Sequence, residues 1–386
     1  MKVRPLDAVC EFTADGRLLV RATARGIAAR VPPMAVALLA FCSVPRSEDS
    51  VAAAFGPDGR RLYRGLADAG LLLDPDEAAQ TPQMFSNFGA FDIHRRMLAD
   101  SARIEAYAAA LREVVKPGMT VLDAGTGSGV LACLAAAAGA ERVFGVDNSD
   151  MLGVAEQVVE SSGWADRITL VRGDFRTVDL PCPVDVIVTE TFGAVALAEG
   201  SAPDIAACRA RHLTPDGVMI PNRVDLFAAL VRSEALYDDS VTDISDRPGV
   251  DLTVMRNRAL GSARSVAIGA DALASPAQQF ASLAYPDEAS AARGTLALQG
   301  AAGTVHGVAT WFDLVLSPSV TLSTGPEAPA THWRQTYLPM APFDITDDAV
   351  ALAIDVAPAP DDRRALTIDC EVGHGDTARR TSHRVR

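Results

Sequence analysis

The stretch Val121-Leu122-Asp123-Ala124-Gly125-Thr126-Gly127-Ser128-Gly129 runs directly into the apolar segment Val130-Leu131-Ala132. Apolar residues carry an acid into a glycine-rich turn, and a helix-forming run follows. That order reads as strand, tight loop and helix N-terminus, where backbone N–H groups can meet a polar ligand. The glycine spacing narrows the ligand. A dinucleotide fingerprint needs G-x-G-x-x-G, whereas the third glycine here is Gly129 and Val130 follows it; a Walker lysine is also missing. The next strand, Arg142-Val143-Phe144-Gly145-Val146-Asp147, ends in an acid twenty residues after Gly127, where a carboxylate can accept from both ribose hydroxyls.

The surrounding pattern extends this reading. From Phe85 to about Asn222 helices and strands alternate, as a doubly wound parallel sheet requires. Helices are expected over 91–115, 130–138 and 150–162, and strands over 119–123, 142–147, 168–172 and 184–190. From Arg223 onward short alternating segments take over, such as Val305 to Phe312 and Ala365 to Asp369. They predict an all-β domain, a barrel. Ahead of both, residues 1–78 predict a small unit. Glu11-Phe12-Thr13 and Leu18-Leu19-Val20 flank a turn, and three short helices follow, beginning near Met34, near Ser47 and around Leu62. Hairpin plus three helices is a winged-helix outline. The polar, proline-bracketed run from Asp74 to Pro82 reads as a linker. The division is therefore 1–78, 79–222 and 223–386.

Composition excludes several classes. The 386 residues are 49% hydrophobic and 22% charged, with a net charge of −14. Such an acidic chain is no general binder of nucleic acid, whose affinity rests on neutralising phosphates. Six cysteines, at 10, 42, 133, 182, 208 and 370, lack metal-ligand spacing and suit reduced thiols in a cytoplasm. The expectation is no signal segment, no membrane span and no metal.

The acid followed by G-x-G-x-G resembles the first motif of class I S-adenosylmethionine (SAM) methyltransferases. After the fourth core strand comes Glu190-Thr191-Phe192-Gly193-Ala194-Val195-Ala196-Leu197-Ala198-Glu199. By spacing alone these two glutamates are ordinary loop acids or two prongs around one cation. In context they resemble the double-glutamate loop of protein arginine N-methyltransferases. Phe91 to Asp100 is similar to that family's cofactor-covering helix, Thr331-His332-Trp333 to its Thr-His-Trp loop, and Ser382 to Arg386 to its closing strand. The resemblance covers about residues 84 to 386.

It implies SAM as cofactor. Arg103 would pair with the methionyl carboxylate, Asp123 would orient the Gly125–Gly127 loop and the amine, Asp147 would take the ribose, and Asp174 would sit by the adenine. His94 and Met97 would line the site. Glu190 and Glu199 would grip the accepting nitrogen, with His332 completing the pocket in a pair with Asp100. The acceptor is a peptide or protein nitrogen, either an arginine guanidinium or a primary amine; a small-molecule amine and a non-catalytic scaffold are the rivals. The stretch from Leu236 to Ala259 lies where the family carries its dimerisation arm, which implies a homodimer.

Residues 1–78 resemble PqqD-like peptide-clamp domains of enzymes that modify ribosomally made peptides. The chain also departs from the methyltransferase family. Met84-Phe85 and Phe88 replace tyrosine-bearing positions, Thr191 stands where tryptophan is frequent, and Arg176 where an acid is common.

Overall fold

The computed structural model describes residues 2, 8–12, 18–22, 27–42, 45–74, 91–242, 249–285, 291–346, 349–374 and 377–385. The linker residues 75–82, together with Met84, Phe85 and Phe88, lie outside the described residues.

Strands β1 (Ala8–Phe12), β2 (Leu18–Ala22) and β3 (Ile27–Val31) form an antiparallel sheet in that order. The expected hairpin is its first half, with Phe12 opposite Leu18; the third strand adds to it. Helix α1 (Met34–Phe41) follows, then α2 (Glu48–Asp68). Ser47 caps α2 by accepting from the Ser50 N–H at 3.2 Å. Gly56 takes φ 71° just before Pro57, so α2 is two helical pieces joined at a break. Val20, Leu38, Leu39, Val51, Tyr63 and Leu66 make a hydrophobic core separate from the main one.

The segment expected as one helix over 91–115 is two, α3 (Phe91–Leu98) and α4 (Ser101–Val114). The side chain of Asp100 explains the break, because it accepts the Arg103 N–H and starts α4 as its N-cap. Then come β4 (Thr120–Ala124), α5 (Val130–Ala137), β5 (Arg142–Asp147), α6 (Leu152–Ser161), β6 (Ile168–Arg172) and β7 (Val184–Thr189). A fifth strand goes beyond the four expected. After α7 (Ser201–His212), β8 (Leu213–Ile220) joins β7 in parallel. Its Pro215-Asp216-Gly217 spells a turn by local chemistry, and the register keeps it as an irregularity: Leu213 pairs with Val184, the next pair is Val218 with Val186, and residues 214–217 stand out of the ladder.

The sheet order is β6-β5-β4-β7-β8, and its pairs are parallel. Central strands buried on both faces explain the unbroken apolar runs: Val121, Leu122, Ile187 and Val188 are fully buried. Each such side chain contributes about 1.5–3 kcal/mol. Gly145 leaves room for its neighbours: a Cβ there would stand 2.7 Å from Leu170 Cδ2 and 3.0 Å from Thr126 Oγ1.

The rest is β-rich and barrel-like. One sheet orders β10 (Arg264–Val266), β15 (Gln335–Ile345), β13 (Gly303–Val315), β9 (Arg223–Val231) and β11 (Gln278–Ala284), with β14 (Thr321–Ser323) on β13. The other orders β12 (Ala292–Gln299), β16 (Ala349–Ala359), β17 (Asp362–His374) and β18 (Thr377–Val385). Between β9 and β10 lies α8 (Thr253–Leu260), inside the expected arm. Among the described residues no helix is long and apolar enough to cross a membrane.

Candidate active site

The glycine loop lies at the carboxyl end of β4, in the middle of the parallel sheet, where such sheets open a crevice. Gly125, Gly127 and Gly129 take φ of 82°, 52° and 80°, left-handed conformations that favour glycine. The N–H groups of Gly125 and Thr126 donate to Val146 O at 2.9 and 3.0 Å, tying the loop to β5.

Asp123 is fully buried beneath the loop. Its Oδ2 accepts from Thr126 Oγ1 at 2.6 Å and from the Ala132 N–H at 3.0 Å. Burial pushes its carboxyl up to about 7 against those two bonds, and Oδ1 is buried without a partner. Asp147, at the end of β5, accepts from the Gly127 N–H at 2.8 Å and the Ser149 N–H at 2.7 Å.

Helix α3 covers this loop. A Cβ on Gly127 would stand 2.6 Å from His94 Cε1, so the buried imidazole rests directly on the glycine. Arg103, on α4, donates to Met97 O at 2.8 Å and forms an ion pair with Glu190; its Nε is buried and unpartnered. Asp100 joins the two halves of the chain. It accepts from the Arg103 N–H at 3.1 Å and, through Oδ2, from the His332 N–H at 2.8 Å and His332 Nδ1 at 3.0 Å. A carboxylate only accepts, so Nδ1 carries the hydrogen in this contact. Burial opposes ionisation of Asp100, but the bonds from His332 and Arg103 outweigh it and lower its pKa.

Glu190 lies one residue beyond β7. Burial raises its pKa, while Arg103 and His332 oppose the rise. Glu199 is pushed up to about 7, first by burial and then by the charge of Glu190, with Arg364 opposing. The loop between them is strained: Val195, Ala196 and Glu199 hold φ of 56°, 55° and 75°. Packing holds it there. Trp333 Nε1 donates to Phe192 O at 2.7 Å, and the Phe192 ring lies 4.9 Å from that of Tyr285.

One cleft is lined by Glu190, Glu199, His332, His94, Met97, Gly125, Gly127 and Asp147. Arg103, Asp100 and Asp123 stand behind its wall. Asp174 is not brought in. Arg176, reaching back two residues, engages both its carboxylate oxygens and also bonds Asp204 at 3.1 Å. Those contacts lower the pKa of Asp174 despite burial. Its neighbour Phe175 lines the cleft instead, together with Ser149, Thr191 and Phe192. Sequence reasoning offers no direct signal for Ser149 or Phe175; each simply follows a strand-end acid.

SAM fits these residues. The orphaned Asp123 Oδ1 suits its methionyl ammonium, the unpartnered Arg103 Nε its carboxylate, and Asp147 retains lone pairs for ribose hydroxyls.

Residues 222–376 match the family model described as the arginine methyltransferase oligomerization subdomain, and residues 121–217 match a methyltransferase domain. The chain is 30% identical over 332 residues to protein arginine N-methyltransferase 6 of Xenopus laevis, covering 80% of this chain and 96% of that relative. It is 32% identical over 291 residues to an arginine N(omega)-methyltransferase of Streptomyces achromogenes subsp. streptozoticus, covering 71% and 79%. Its fold is similar to that in a Trypanosoma brucei PRMT1 enzyme-prozyme heterotetrameric complex with AdoHcy, with TM-score 0.73 and 24% identity over 78% of this chain and 99% of that one. With the paired glutamates, the glycine loop and the Asp100–His332 link gathered at one crevice, the chain belongs to the protein arginine N-methyltransferase family and is a SAM-dependent N-methyltransferase.

Proposed function

We propose that the acceptor is an arginine guanidinium in a peptide or protein, and that the N-terminal unit captures a leader segment of that polypeptide. The observation that carries the first part is that Glu190 and Glu199 line one cleft with the glycine loop and His332. When bound, SAM supplies a methyl group made electrophilic by its sulfonium. The chain's own groups do the rest. Glu190, held by Arg103, presents a fixed carboxylate to one edge of the guanidinium. Glu199 faces it with the second, and the two orient one nitrogen lone pair. Ionised above about 7, Glu199 takes the proton that the substituted nitrogen releases. His332, clamped through Nδ1 to Asp100, walls the same cleft.

The peptide-capturing role rests on the resemblance to PqqD-like domains and on the three-stranded sheet followed by helices over residues 8–68. Among the described residues its outer strand β3 pairs with β2 alone, leaving an edge for an added strand. Homodimerisation through the arm fits the match of residues 222–376 to an oligomerization subdomain and the exposed Val250, Val254 and Met255. A second reading, free arginine as acceptor, is favoured by the 32% identical relative named arginine N(omega)-methyltransferase.

The test is transfer from labelled SAM into a peptide-rich extract and into free arginine, with acid hydrolysis of the products and Glu190→Gln as control. Label on methylated arginine from peptide supports the proposal. Label confined to free arginine moves the assignment to the second reading, and label on an amine sinks both.

A further inference from the structure

Away from the methyl-transfer cleft, the face of the six-stranded β9–β15 sheet holds a cavity of about 700 Å³. Strand register composes its floor. Phe227 lies opposite Trp311, and two residues along each strand Asp225 lies opposite Asp313. Residues two apart share a face, so an aromatic pair and an acidic pair stand side by side. The Phe227 and Trp311 rings are stacked, 6.2 Å between centroids and 11° between planes.

Two acids directly across a strand pair repel and cost stability. One is compensated: Asp225 accepts from Ser282 Oγ at 2.6 Å and from Arg223 Nε at 3.1 Å. Asp313 Oδ1 is buried with no partner. Burial raises its pKa, Ser323 opposes, and Asp225 adds repulsion. Glu327 brings a further carboxylate to the rim. Acceptor-only groups beside a flat π surface are complementary to a planar cation, which stacks on the rings and donates to the oxygens.

We propose that this cavity docks a second guanidinium of the same polypeptide substrate, stacked on the half-buried Phe227 ring beside the buried Trp311 and bound by Asp313 and Glu327. This rests on the peptide reading above. The loop after β14 links the two sites: its residues 325–328 wall the cavity, and its residue His332 lines the methyl-transfer cleft. Glu327 and His332 are five positions apart, a chain distance of at most about 18 Å. An extended substrate covers a span of that size with about six residues, so the docked and methylated arginines are expected several positions apart.

The first experiment follows the indole resonance of Trp311, identified by its loss in Trp311→Phe, while N-acetylarginine amide is added to the full-length protein. A saturable shift is expected, abolished in Asp313→Asn and weakened in Glu327→Gln, whose exposed side chain makes misfolding no explanation. The second compares two peptides that differ only in having arginine or citrulline at the distal position. The arginine peptide is expected to show a KM about tenfold lower with kcat unchanged, and the advantage to vanish in both variants. An unmoved Trp311 resonance, or equal KM values for the two peptides, overturns the proposal. The titration requires no methyl transfer, so a Trp311 shift without methylation of any peptide locates the failure in the substrate reading instead.

Discussion

Glu190 and Glu199 carry the same carboxylate yet differ in partner. Glu190 has the Arg103 guanidinium against it, whereas Glu199 gains mainly burial and the repulsion of Glu190. Replacing Glu190 with Gln keeps the shape and removes the charge that opposes a guanidinium. Transfer is expected to fall by about 10²–10³ or more in kcat, with SAM affinity, read by calorimetry, changed little; full activity in the variant would sink the paired-glutamate assignment. Protonation of Glu199 gives a second prediction. Its carboxyl ionises at about 7 in the folded chain against an ordinary 4.5. Between those values the folded chain holds a proton that the unfolded chain has lost, so this group's contribution to stability falls as pH rises from about 4.5 to 7. Glu199→Gln is expected to flatten that decline in Tm, while the wild-type rate rises through pH 7 as the carboxylate forms. A wild-type Tm curve parallel to that of the variant from pH 5 to 8 would contradict this.

At the scale of elements, α3 and the glycine loop depend on each other. Gly127 has φ 52° and a Cβ there would meet His94 Cε1 at 2.6 Å. Gly127→Ala is expected to cost about 1–3 kcal/mol of stability from the backbone alone and to lift α3 off the loop. SAM affinity should drop at least about tenfold, as measured by calorimetry. The break between α3 and α4 is equally specific. Asp100 accepts three N–H bonds, from Arg103 N, His332 N and His332 Nδ1. An Asn has one carbonyl oxygen and cannot replace them all. Asp100→Asn is expected to lower stability by about 1–3 kcal/mol and to reduce kcat more than SAM affinity, because it frees His332 while leaving the glycine loop intact; a kcat unchanged with Tm lowered would mean the contact only holds the two domains together.

At the scale of the whole molecule, the core of the N-terminal unit is separate from the continuous core that runs from Tyr107 to Val385. Deleting residues 1–74 is therefore expected to leave the main unfolding transition within a few degrees of its original Tm, consistent with an effect below about 1 kcal/mol. If the unit captures a leader, KM for a leader-bearing peptide should rise about tenfold or more while a leaderless core peptide is processed as before. Equal effects on both peptides would argue for a purely structural unit. On α8, Val254 is 68% exposed and Met255 50% exposed, so Met255→Glu is expected to shift sedimentation towards the monomer.

The order of elements through the methyltransferase half was legible because its signals are local. Glycines at 125, 127 and 129 can adopt left-handed backbone, strand-end acids stand at 123 and 147, and apolar runs mark strands buried on both faces. The cleft residues Glu190, Glu199, His94, Met97 and His332 were legible through motif order. Other features required neighbours distant in sequence. The segment Val218–Ile220 becomes a strand by pairing with Val186–Val188 of β7, while Pro215 and Gly217 keep their turn as an irregularity in that register. Arg176 engages the Asp174 carboxylate and also donates to Asp204, 28 residues further on, a pairing that spacing does not reveal. The Asp225–Asp313 opposition follows from register between strands nearly ninety residues apart. Local propensity and spacing thus determined the SAM-binding half and its carboxylates; partner choice, protonation and the second acidic cavity were decided by which charges the tertiary fold buries side by side, a quantity set by packing.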